Sequence, residues 1–117
     1  MDKPKHPAIL AAENGEDVLV ITTSNTEIPR LLAEWEKQTT GRAYRAAGVA
    51  RLEPDYGGVV WFLSQRSHGG ARGRAVDLVY FMPGIHLTQQ LLAEVSPCIA
   101  TRPGGRLILE IDPRHFD

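Results

Sequence analysis

A chain of 117 residues, 43% of them apolar and 23% charged, holds the material for one buried core and little to spare for a second. Those proportions exclude the charge-rich, apolar-poor signature of a disordered segment. A net charge of −1 argues against a wholesale basic coat for nucleic acid or membrane, and a single cysteine, Cys98, allows no internal disulfide and gives no sign of an oxidising compartment.

Residues 1–7 hold two prolines, two lysines and a histidine and read as a frayed lead-in, followed by one helical turn over Ala8–Glu13 and a turn at Asn14-Gly15. The apolar run Ala8–Ala12 is too short for a signal peptide or a membrane span, so the expected location is cytoplasmic. Asp17–Thr22 is a near-continuous β-branched run, the pattern of a strand covered on both faces. Ser24, Asn25 or Thr26 caps the next helix, expected over 27–38, with Glu27 in its first turn and Leu31, Leu32 and Trp35 on its apolar stripe. Gly41 ends it.

The stretch 42–53, the turn Pro54–Gly58 and the run Val59–Leu63 read as a β-hairpin. A loop rich in Gly, Arg and Ser follows over Ser64–Arg74. Val76–Phe81 is the second buried-type strand, stopped by Pro83-Gly84, and Thr88–Val95 has helical spacing. Pro97 either closes that helix or begins a second turn. After the turn Arg102–Gly105, Leu107–Ile111 is the last strand. The order predicts an α/β fold, a mixed sheet of about five strands with two main helices in one domain. Ligands of such sheets bind at the carboxyl ends of parallel strands, here 22–26, 82–86 and 112–115, and these segments carry few catalytic groups.

Several of these elements carry a family resemblance. The segment Ser64-Gln-Arg-Ser-His-Gly-Gly-Ala-Arg-Gly-Arg-Ala-Val-Asp77 precedes the apolar strand LVYF, which is followed by Met82-Pro83, a Leu87-Thr88 helix start and a further turn and strand. From Asp17 to Ile111 this order resembles part of the ATPase domain of phage terminase large subunits, the motors that package DNA. The resemblance implies a P-loop ATPase-like core in which the strand ending at Met82 occupies the Walker B position. In the family that strand ends in acids that hold Mg²⁺ and position the attacking water, tasks that neither Met82 nor Pro83 performs. The phosphate loop G-x-x-x-x-G-K-[ST] is absent, and no lysine follows Lys37. What the resemblance implies is a shortened, repurposed relative that does not hydrolyse ATP and uses no cofactor. Its sheet closes with the last strand beside the Val76 strand or with a second copy of the chain.

The resemblance also puts Arg72 where an arginine reaches a neighbouring subunit's nucleotide, although a solvated arginine or a partner for Asp77 is the plainer reading. From Arg42 to Arg74 there are six arginines against Glu53 and Asp55, and Arg66, His68, Arg72 and Arg74 share a Gly-rich segment suited to phosphate oxygens. Arg42, Arg45 and Arg51 lie near it if the hairpin folds over, and Tyr56 or Trp61 adds stacking if exposed; Trp61 reads more readily as core. The same charge run is otherwise a solvated face. The four histidines lack ligand spacing, so no metal site is expected, and Cys98 reads as a small buried hydrophobe. Asp77 reads as a strand-start carboxylate accepting hydrogen bonds from the Arg72–Arg74 stretch.

The sequence is compatible with three functions. The first is a non-catalytic binding or regulatory protein acting on a protein partner, on itself or on nucleic acid. The second is a nucleic-acid- or nucleotide-processing enzyme built on Asp77, His68 and Arg72. The third is an inert remnant whose open sheet edge self-associates.

Overall fold

The run Val18–Thr22 forms β1, buried at all five positions, because parallel strands lie on both of its sides and helices cover both of its faces. A computed structural model describes residues 5–45, 50–65, 75–100 and 102–109. Within them the order is α1 (Pro7–Glu13), β1 (Val18–Thr22), α2 (Glu27–Glu36), β2 (Gly41–Tyr44), β3 (Arg51–Pro54), β4 (Val60–Ser64), β5 (Leu78–Phe81), α3 (Gln89–Ala100) and β6 (Arg106–Leu109). The six strands make one sheet in the order β2-β3-β4-β1-β5-β6. The four strands β4, β1, β5 and β6 run parallel, and β2 and β3 add an antiparallel edge. The expected mixed α/β sheet is therefore observed, with β6 beside β5.

Alternation along the strands divides the core in two. Val18, Val20, Val60, Phe62, Leu78 and Tyr80 face α1 and α2, whereas Leu19, Ile21, Leu63, Val79 and Phe81 face α3. Each such side chain, fully buried, contributes roughly 1.5–3 kcal/mol of transfer free energy, so the strand with the densest run takes the centre. On the first face α2 lies over β2, β3 and β4, and on the second α3 packs on β5.

The boundaries differ from the sequence reading where the chemistry is local. Residues 41–54 form two strands rather than one: β2 and β3 pair with each other, Gly41 opposite Pro54 and Tyr44 opposite Arg51, before β3 pairs with β4. α1 is a full element, capped by the His6 imidazole, whose Nδ1 accepts from the Ala8 N–H at 3.1 Å. α2 starts after Thr26, which makes no side-chain cap, and stops at Glu36. α3 continues through Pro97 to Ala100. Proline there has no N–H to give to the Ala93 carbonyl, and burial of Leu91, Val95 and Cys98 outweighs that loss.

Glu13 ties the end of α1 to the loop after α2. The Thr39 hydroxyl, 2.6 Å away, and then the Lys5 ammonium at 2.9 Å hold its carboxyl below the ordinary carboxylate range. A carboxyl depressed in this way stabilises the fold above its unfolded-state value, and that contribution disappears as pH falls through the lowered one.

Candidate functional site

Because four strands run parallel, their carboxyl ends share one edge, the place where ligands of such sheets bind. Thr22 ends β1 fully buried, its Oγ1 lying 3.0 Å from the Ser24 carbonyl and 3.3 Å from that of Leu63. Gln65 then joins two loops. Its backbone N–H donates to the Thr22 carbonyl at 2.8 Å, its Nε2 donates to the Thr23 carbonyl at 3.2 Å, and its Oε1 accepts from the His86 N–H at 3.3 Å. Thr23 donates to the Glu27 carboxylate, and Thr88 Oγ1 accepts from the Leu91 N–H at the start of α3. The Ser64 hydroxyl is fully buried with no hydrogen-bond partner among the described residues.

At the tip of β5 the Met82 N–H donates to the Ile21 carbonyl at 3.0 Å, and its thioether is buried in the core beneath α1 and α2. Pro83 is exposed in the turn, and Gly84 follows with φ +90°. A residue with a Cβ would meet the Thr23 methyl there at 3.2 Å besides straining the backbone. The described groups at this edge are hydroxyls, an amide, one carboxylate held by Thr23 and the exposed imidazole of His86; the first three organise loops, which leaves His86 as the group suited to proton transfer.

Asp77 sits at the opposite edge, where β5 begins. Its Oδ2 accepts from the Asp17 N–H at 2.8 Å and from Arg102 Nη1 at 3.2 Å. Arg102 reaches Asp17 as well, with Nη2 3.2 Å from Oδ2, and donates to the Ala75 carbonyl at 3.1 Å. Alongside, Arg106 grips Glu16 with both terminal nitrogens, at 3.1 and 2.8 Å, and these bonds raise its already high pKa. The strand-start anchoring role expected for Asp77 is present, held among the described residues by the Asp17 amide and Arg102; the expected contact with the Arg72–Arg74 stretch lies outside the described residues, as do Arg66 and His68. Asp77→Ala is expected to destabilise the fold by roughly 1–3 kcal/mol and Asp77→Asn by less, since the amide keeps an acceptor oxygen. Urea denaturation midpoints of the two variants would check this.

The remaining described candidates lie on β2. Arg42 is exposed, and Arg45, just past the strand, pairs with Glu36 at 2.8 Å. One residue further into the sheet is a feature the sequence reading missed. Arg51 stacks its guanidinium on Tyr44, 3.9 Å from the ring centroid, and lies 5.3 Å from that of Trp61. Trp61 was expected in the core, but it is only half-buried at the margin of the α3-side cluster. Tyr56 is 85% exposed in the β3–β4 turn, away from this row.

No helix of the described residues is long and apolar enough to cross a membrane, and no group of three or more His, Cys, Asp or Glu among them is placed to hold a metal ion. Comparison of the chain with protein-family models, with curated proteins and with solved structures finds no match.

Proposed function

We propose that this chain is a non-catalytic binding or regulatory protein, built on a scaffold that resembles the terminase motor ATPase and acting in the cytoplasm on a protein partner, on a second copy of itself or on nucleic acid. The observation that carries the reading is the tip of β5. There Met82 is committed to the core and Pro83 to a turn, in the place where a hydrolytic relative needs carboxylates. The Ser64–Asp77 motif and the Leu87-Thr88 start before α3 give the resemblance its content. Nucleic acid would be met by the 66–74 segment, with Arg66, His68, Arg72 and Arg74, and by Arg42 and Arg45.

The enzyme reading built on Asp77, His68 and Arg72 draws less support. Asp77 lies at the amino edge of the sheet and its Oδ2 is occupied by a backbone amide and Arg102. Purified protein incubated with ATP and Mg²⁺ is expected to release phosphate no faster than a protein-free control. Release above that control that disappears in Asp77→Asn, with folding unchanged, would favour the enzyme instead.

A further inference from the structure

A single cross-strand row runs through the sheet on the α3 side. Tyr44 on β2 stands opposite Arg51 on β3, Arg51 opposite Trp61 on β4, Trp61 beside Leu19 on β1, Leu19 beside Val79 on β5, and Val79 beside Leu107 on β6. The character of the row changes halfway. Its aliphatic members lie in the cluster that α3 completes, whereas Arg51 and Tyr44 lie beyond it, on strands that α2 covers only from the other face. A sheet face carrying Tyr, Arg and Trp in one line, with exposed Arg42 one step along β2, is suited to water and to a polar ligand rather than to a core.

We infer that this half of the sheet binds single-stranded nucleic acid by stacking bases on Tyr44 and the Arg51 guanidinium beside Trp61. Aromatic residues in one row across a sheet present π faces to two or three bases, the device used by sheet-based RNA readers; here Tyr44 on β2 and Trp61 on β4 flank the planar guanidinium of Arg51 on β3. Unpaired bases expose the faces such a row can stack, whereas a duplex hides them. The charge fits the same ligand. Arg42 and Arg51 stand on this face with Glu53, which Arg51 partly neutralises at 2.8 Å, whereas Arg45 turns to the α2 side and pairs with Glu36. Phosphates would meet Arg42 while bases stack inward, giving affinity that tolerates sequence and falls with salt. The inference rests on the reading of this chain as a binder, but its test has a separate readout, since phosphate release overturns that reading without measuring binding.

Fluorescence anisotropy of labelled oligothymidine and oligoadenosine RNA of about 12 nucleotides gives the test, with a duplex of equal length and polyglutamate as comparators. Saturable binding of the single strands, tighter than either comparator and weakened by salt, is expected. Tyr44→Ala is expected to lose roughly 5- to 150-fold in affinity and Tyr44→Phe to bind like the parent. Arg42→Ala reduces the salt slope by about one. Thermal melts verify that each variant is folded. If Tyr44→Ala melts early, quenching of tryptophan emission by oligothymidine in the unaltered protein replaces it; Trp35 is buried under α2, so quenching reports on Trp61. Absence of single-strand binding at low salt overturns the inference. So does binding equal to that of polyglutamate, or affinity indifferent to Tyr44 in a folded variant.

Discussion

Gly57→Ala is expected to destabilise the protein by about 3 kcal/mol or more, whereas Gly15→Ala costs only about 1–2 kcal/mol. Both glycines have positive φ, +118° and +97°, so both substitutions place a Cβ in a backbone region that L residues resist. They differ in what the Cβ meets. At Gly57 it would lie 2.0 Å from the Ala12 carbonyl oxygen and 3.1 Å from the Glu13 Cα, all backbone at the end of α1; at Gly15 nothing lies within 4 Å. Backbone cannot rotate aside, so the β3–β4 turn has to lift from α1. That movement breaks the 2.8 Å bond from the Gly58 N–H to the same carbonyl. Denaturant midpoints for the two variants at unchanged slope isolate the contact from the shared φ cost.

Trp35→Ala is expected to cost about 3–5 kcal/mol, a large share of the roughly 5–15 kcal/mol by which small domains are stable. Trp35 is 2% exposed at the end of α2, stacked on His6 at 4.2 Å and tilted on Phe62 at 5.4 Å. The His6 ring also makes an edge-to-face contact with Tyr80, centroids 4.7 Å apart, and the His6 backbone N–H donates to Gln38 Oε1 at 2.8 Å. Truncation therefore opens a cavity and loosens the cap of α1 together with the seat of α2 on β4. Tyr56→Ala, at an exposed aromatic, should change stability by no more than about 0.5 kcal/mol. Equal shifts for the two variants in chemical denaturation would contradict the packing described for Trp35.

The central strands were legible because burial on two faces writes itself as a continuous apolar run, as in VLVIT, VVWFL and LVYF. The edge was harder. GRAY and RLEP are short and poor in β-branched residues, and they become strands because Ala43 and Leu52 pack under α2, a cause outside either segment. Pro97 in isolation signals a break or a new turn, yet local propensity yields to the buried stripe of α3. At the candidate sites, residue types were readable and partners were not. Asp77 was recognisable as an anchor, but nothing near it in sequence points to Arg102 or to the Asp17 amide. Gln65 gave no signal as the staple between loops, and the Tyr44–Arg51–Trp61 row exists only through a register that needs 41–54 to be two strands.

The position of β1 also has a kinetic consequence. Val18 pairs on one side with Val60 and on the other with Leu78, so both neighbours of the central strand are made only after α2, the β2–β3 pair and more have been synthesised. Until then VLVIT is an apolar segment with two open edges. Such non-local parallel pairing is slow and leaves a nascent chain open to aggregation. Chains stalled before residue 78 should therefore depend on chaperones more than those that have completed β5.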